Sequence, residues 1–181
     1  MARIAVIGAG SWGTALSYAL VTAGHNVRLW VYEEDVAAGI LKDRENTIFL
    51  PGTKLPESIL PTTDLSTALE GAEFVVTAMP SHVCRSVYER MLPFLRPEMI
   101  FVSATKGIET GSLMRMSEVI REVVGTRFAA RLAVLSGPSF AREVVRLDPT
   151  AVVVASADRP LARTVQETFS SQWFRVYTNT D

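Results

Sequence analysis

Gly8-Ala9-Gly10-Ser11-Trp12-Gly13 has the glycine spacing of a loop that cradles phosphates. It follows a β-branched run and opens a helical one, the context in which GxGxxG carries meaning. Gly8 permits a tight turn, Gly10 lets the backbone approach a pyrophosphate, and Gly13 lets the helix pack close to a sheet. The helix N-terminus then offers unpaired N–H groups and partial positive charge. The implied ligand is a dinucleotide, against a glycine turn of structural use only. Trp12, inside the loop, reads equally well as a core residue or a cofactor contact. The second strand of such a unit ends on an acidic residue for a ribose 2′-OH, or near an arginine for a 2′-phosphate. Here the tip reads Leu29-Trp30-Val31-Tyr32-Glu33-Glu34. Glu33 and Glu34 fit a solvated helix start better than a ribose contact, so NAD and NADP both stay open.

Two further segments place chemistry directly after strands. The first is Ser103-Ala104-Thr105-Lys106-Gly107-Ile108-Glu109, and Lys106 is one of only three lysines, with Lys42 and Lys54, against fifteen arginines. A lysine among small residues at a strand's C-terminal end stands where open α/β sheets bind ligands. Its ammonium donates several hydrogen bonds and steadies an oxyanion. The second is Ser136-Gly137-Pro138-Ser139-Phe140-Ala141, where Ser139 either caps the following helix or meets a ligand, roles that are compatible. His82 reads as a helix-start residue and His25 as structural. Cys84 is alone, so no internal disulfide forms, and a reducing compartment is the simpler setting.

The elements that must hold these groups are short and alternate in type. Arg3–Ile7, Asn26–Val31, Glu73–Ala78, Ile100–Ser103, Leu132–Leu135, Thr150–Ala155 and Phe174–Tyr177 read as strands, several of them apolar on both faces. Trp12, Ala15, Leu16, Ala19, Leu20 and Ala23 share one helical face before Gly24, a natural helix end. Asp64 and Gly71 frame a second helix, and Leu113, Met116, Ile120 and Val123 mark a third. Strand–helix–strand repetition predicts an α/β fold with a mostly parallel, doubly wound sheet and helices on both faces. The Pro51–Pro61 stretch reads as a surface excursion. The 181 residues are 48% hydrophobic with a formal net charge of −1, enough for one sizeable core and too little basic excess for general nucleic-acid binding. Glycines interrupt the apolar N-terminus, so neither a signal-peptide core nor a membrane span is expected there or later, which points to the cytoplasm.

Taken together, GAGSWGTAL, NTIFLPG at 46–52, PSHV at 80–83, SATKGIE, SGPSFARE and a late RVY resemble the bacterial type of NAD(P)-dependent glycerol-3-phosphate dehydrogenase, along essentially all 181 residues. The resemblance implies a Rossmann-type fold over 1–181. It implies an enzyme interconverting dihydroxyacetone phosphate and sn-glycerol 3-phosphate for phospholipid synthesis. It gives cofactor contacts to Ser11, Trp12, Tyr32 and Ala141 beside the glycines, cofactor and substrate contacts to Lys106, and substrate contacts to Gly137 and Ser139. Tyr32 departs from the Arg or His often found at that position. The family's general-base lysine belongs to a C-terminal helical domain and is expected beyond Asp181, as is any homodimer formed through that domain. The competing readings are a non-catalytic dinucleotide-binding sensor module and another Rossmann dehydrogenase acting on a 3-hydroxy acid.

Overall fold

The central apolar runs become strands because helices cover them from both sides, whereas the runs at 150–155 and 174–179 bury only alternate residues. In the computed structural model, which describes residues 1–180, they form β1 (Arg3–Ile7), β2 (Asn26–Trp30), β3 (Ile59–Thr62), β4 (Phe74–Thr77), β5 (Ile100–Ser103), β6 (Arg131–Ser136), β7 (Thr150–Ala155) and β8 (Phe174–Asn179). The helices between them are α1 (Ser11–Thr22), α2 (Glu34–Asp43), α3 (Leu65–Leu69), α4 (Cys84–Met91), α5 (Met116–Gly125), α6 (Ala141–Val145) and α7 (Arg159–Phe169). Alternate residues of β1 serve two cores. Ile4 and Val6 pack with Leu16, Leu20, Ile40 and Val165 from α1, α2 and α7. Ala5 and Ile7 pack with Leu69, Tyr88 and Ile120 from α3, α4 and α5.

One eight-stranded sheet results, in the order β3-β2-β1-β4-β5-β6-β7-β8. Every neighbouring pair is parallel except β6 and β7, which run antiparallel. Successive connections leave β1 in one direction and β4 in the other, so the chain's winding reverses between these two strands. That crevice, at the strands' C-terminal ends, is where open α/β sheets hold ligands.

Helix ends follow the sequence closely. Gly24, at φ +91°, closes α1: its N–H reaches Val21 O at 2.9 Å, and the His25 N–H reaches Leu20 O at 3.1 Å. This double bond pattern satisfies the last carbonyls of the helix. Asp64 caps α3 by accepting from the Thr67 N–H at 2.6 Å. His25 is a structural tie, accepting from the Ala2 N–H at 3.1 Å through Nδ1 and meeting Thr168 O at 2.6 Å through Nε2.

Two expectations need correction. Part of the Pro51–Pro61 stretch is not an excursion: Ile59–Thr62 is β3, paired in parallel with β2. Pro61 is tolerated because β3 is an edge strand, whose outward side needs no N–H donor. Leu113 is not on the third helix. It lies before α5 at φ +59°, exposed, in a small hairpin closed by the Ile108–Arg115 bridge. Among the described residues, no helix is long and apolar enough to cross a membrane.

Candidate functional site

Close backbone packing forces glycine at two of the three loop positions. A Cβ on Gly8, at φ +113°, would sit 2.7 Å from Ala78 O, and one on Gly13 would sit 1.8 Å from Gly8 O. These contacts lock the β1–α1 turn onto the end of β4. Gly10 differs: a Cβ there would meet nothing within 4 Å. It is the N-cap of α1, with no side-chain cap and no acidic residue in the first turn. The space beside Gly10 is open and no side chain caps the first turn, which leaves room for a dinucleotide pyrophosphate. The residues present fit that group.

Asn46 braces the loop from behind. It is fully buried, and its side-chain amide donates to Ala9 O at 2.8 Å and to Thr14 Oγ1 at 2.9 Å. Its Oδ1 accepts from the Phe49 N–H at 3.1 Å. Sequence reasoning gave Asn46 no role. A buried amide must be fully bonded, and no local pattern in NTIFL marks Asn46 as the buried one.

Trp12 is partly buried against the core and also tied across the crevice. Its indole N–H donates to Ala104 O at 3.2 Å, tying the start of α1 to the turn after β5. The Lys106 Nζ then lies 5.4 Å from the Trp12 ring centroid. Lys106 and the glycine loop are thereby brought together across the crevice. Hydrogen bonds to one backbone carbonyl fix this turn from below: the Ala104 N–H reaches Thr77 O at 2.8 Å, and Thr105 Oγ1 donates to the same oxygen at 3.3 Å. Gly107, at φ +103°, packs against Ser81, where a Cβ would meet Oγ at 3.1 Å.

Behind Lys106 stands an ion-pair cluster that the sequence did not reveal. Arg85 on α4 grips Glu109 with Nε and Nη2, both at 2.9 Å, and reaches Glu122 on α5 at 2.7 Å. Ser112 Oγ adds a 2.5 Å bond to Glu109. Arg85, then Ser112, hold the Glu109 carboxyl down to about 2. A carboxyl lowered in this way keeps its pairing above the ordinary carboxylate range and loses it only as pH falls towards 2. Cys84, next to Arg85 but fully buried, has its thiol pushed up to about 12, chiefly by burial and then by the Glu109 charge. It remains a packed thiol with little nucleophilic character.

The other candidates occupy the same edge of the sheet with different geometry. Gly137 follows β6, and a Cβ there would meet Val152 Cα at 3.0 Å and Ala151 O at 3.2 Å, so its backbone lies on β7. Ser139 is 8% exposed and donates to Gly137 O at 3.4 Å. It does not cap α6, because Phe140 is the N-cap and Ala141 begins that five-residue helix. Tyr32, 70% exposed, stands past the end of β2 with its ring edge-on to Trp30 at 6.1 Å. Glu33 is the N-cap of α2 and Glu34 its first residue, as a helix-start reading requires. His82 lies in the short 3-10 turn Ser81–Val83 leading into α4.

A sheet wound in both directions from β1 and β4, with a glycine cradle at the reversal, defines a Rossmann-type dinucleotide-binding domain. The family model described as the N-terminus of NAD-dependent glycerol-3-phosphate dehydrogenase matches residues 3–162. The chain belongs to that family. It is 55% identical to a glycerol-3-phosphate dehydrogenase [NAD(P)+] of Koribacter versatilis, over 100% of this chain and 54% of the relative. It is 44% identical to the Bacillus velezensis protein of the same name, over 100% of this chain and 52% of that one. The crystal structure of glycerol-3-phosphate dehydrogenase from Coxiella burnetii superposes with a TM-score of 0.92 at 37% identity, covering 99% of this chain and 54% of that one. The chain thus spans about half the length of the relatives it matches.

Proposed function

We propose that this chain is the cofactor-binding half of an oxidoreductase that interconverts dihydroxyacetone phosphate and sn-glycerol 3-phosphate with NAD or NADP. One observation carries the reading: the Lys106 ammonium rests on Trp12, inside the glycine loop, so a cation for substrate oxygens borders the cradle for the cofactor. A sensor module has no need of a cation at the reacting end. The family match speaks against a dehydrogenase of 3-hydroxy acids.

A bound nicotinamide would supply the hydride acceptor or donor. Gly10 and the first turn of α1 bind its pyrophosphate, with Trp12 and Ser11 at the loop, Tyr32 towards the ribose and Ala141 at the start of α6. Lys106 holds the substrate's oxygens by charge and position, a contribution made in a preorganised site without reorganisation during the reaction. Gly137 and Ser139 bind the substrate on the β6 side. The proton on the substrate hydroxyl falls to a lysine in the part of the relatives that this chain does not span. A homodimer would form through that part as well. A cytoplasmic setting and the absence of a nucleic-acid partner agree with a lone buried Cys84 and a net charge of −1.

Calorimetric titration with NAD+ and NADP+ tests the cradle. The chain should bind at least one of them, and Gly10→Val, which fills the open space, should weaken binding at least tenfold, about 1.4 kcal/mol. A folded Gly10→Val protein with undiminished affinity would remove the pyrophosphate from this loop.

A further inference from the structure

We infer that Arg85 and Glu109 are positioning residues for Lys106, holding its turn so that the ammonium stays on the Trp12 ring at the mouth of the crevice. The inference rests on the reading of Lys106 as a ligand-facing cation, but its structural core stands apart from any ligand.

The ring contact is not enough by itself to hold the side chain. An exposed cation–π contact is weaker than the rotamer freedom that a lysine gives up when fixed. Its presence therefore requires a backbone already set in the right place. On the strand side, Ala104 and Thr105 are tied to Thr77, and Ala104 O accepts from Trp12. On the far side, the chain leaves Lys106 through Gly107 at positive φ and enters the hairpin of residues 108–115. That hairpin has one apolar anchor, Met114, partly buried against the second core, while Ile108 and Leu113 are exposed. Its polar fixed point is Glu109. The Glu109 N–H reaches Met114 O at 2.9 Å, its carbonyl accepts from the Leu113 N–H at 3.0 Å, and its carboxylate takes both prongs of Arg85.

The side chains of this pair are only 29% and 13% exposed, so water screens them less than a surface pair. The two-pronged geometry fixes orientation as well as distance. Arg85 is itself held by α4 and by Glu122 on α5. The Lys106 turn is thereby fastened to two helices on the face of the sheet opposite α1. Neither Arg85 nor Glu109 lines the glycine cradle, so their effect on a ligand passes through Lys106.

The three-lysine composition makes the test direct. Reductive methylation with 13C-formaldehyde labels Lys42, Lys54, Lys106 and the N-terminal amine and keeps their charge. The Lys106 methyl resonance, assigned by its loss in Lys106→Arg, should lie upfield through the Trp12 ring current and return downfield in Trp12→Leu. In folded Arg85→Ala and Glu109→Gln proteins it should lose most of that upfield displacement, while the Lys54 resonance stays in place. Arg85→Lys, which keeps charge and one prong, should restore part of it. A purely structural role would lower the melting temperature without moving this resonance in the folded protein. Should Arg85→Ala not fold, Glu109→Asp keeps the charge but shortens the reach, and should give an intermediate displacement. An unchanged Lys106 resonance in the folded variants overturns the inference. Addition of NAD+ to the wild-type protein is read separately. If NAD+ leaves the Lys106 resonance unmoved, the ligand-facing reading of Lys106 fails, whatever the variants show.

Discussion

Gly10 and Gly13 belong to one motif, yet their substitution should have opposite consequences. A Cβ at Gly13 would lie 1.8 Å from Gly8 O, a backbone atom in a turn pinned against Ala78. Neither partner can yield without moving β1 or α1. Gly13→Ala should therefore cost about 1–3 kcal/mol or more, as overpacking does. For a chain of this size each kcal/mol is worth roughly 2–4 °C of melting temperature. At Gly10, with nothing within 4 Å, alanine should cost at most about 1 kcal/mol of stability, a loss confined to the helix cap. Equal melting temperatures for the two alanine variants would show that the close approach of α1 is not rigid. The packing roles of Gly8 and Gly13 were legible in the sequence. The bracing by Asn46 and the grip of Arg85 on Glu109 were not, because both join residues distant in the chain through side-chain geometry that no local pattern encodes.

At the scale of elements, strands were easier to read than their partners. β1 and β5 have the bounds that their β-branched runs suggest, because burial on both faces leaves an unbroken apolar signature; β7 has them too, although only its alternate residues are buried. β3 escaped notice for the opposite reason, since an edge strand of Ile-Leu-Pro-Thr needs neither alternation nor a full set of donors. Leu113 matched a helical period by chance, and only its positive φ places it in a turn. The tip of β2 was left open by the sequence, and the structure sharpens it. Tyr32 leans on Trp30, whose face also carries the Arg90 guanidinium at 5.6 Å. Glu33, Glu34 and Asp35 follow at the start of α2. A 2′-phosphate placed here would meet three acidic residues, whereas a 2′-hydroxyl needs only an acceptor. NADH should therefore bind at least tenfold more tightly than NADPH, and Tyr32→Arg should narrow that ratio by supplying a cation. Fluorescence titration with the two reduced cofactors measures it, and tighter NADPH binding by the wild-type protein would refute the argument.

For the molecule as a whole, the parallel winding is what gathers the site. β1, β4, β5 and β6 all end at one edge, so four loops distant in sequence meet there: Gly8–Gly13, Ala78–Val83, Ala104–Glu109 and Gly137–Phe140. This much follows from alternating strands and helices; the antiparallel turn into β7 does not, and it decides that Gly137 lies backbone-first on a neighbouring strand. In the proposed reading, the gathered loops supply a pyrophosphate cradle and a cation on one wall of a crevice. Oxidation of a secondary alcohol needs more, since the hydroxyl proton must leave to a group within hydrogen-bond reach. In the proposed arrangement Lys106 lies on the Trp12 ring and faces the substrate's oxygens as a cation, a binding role rather than a proton-accepting one. Water exclusion is also needed, and the crevice here is open on the side away from the sheet, where Tyr32 and Phe140 are largely exposed. The 181-residue chain assayed by itself should thus bind nucleotide without turning over dihydroxyacetone phosphate. Its rate of NADH or NADPH oxidation should fall more than tenfold below that of a full-length relative such as the Coxiella burnetii enzyme, a barrier difference above about 1.4 kcal/mol. A rate within tenfold would mean that these residues complete the chemistry, and that a proton acceptor for the hydroxyl already stands at this edge of the sheet.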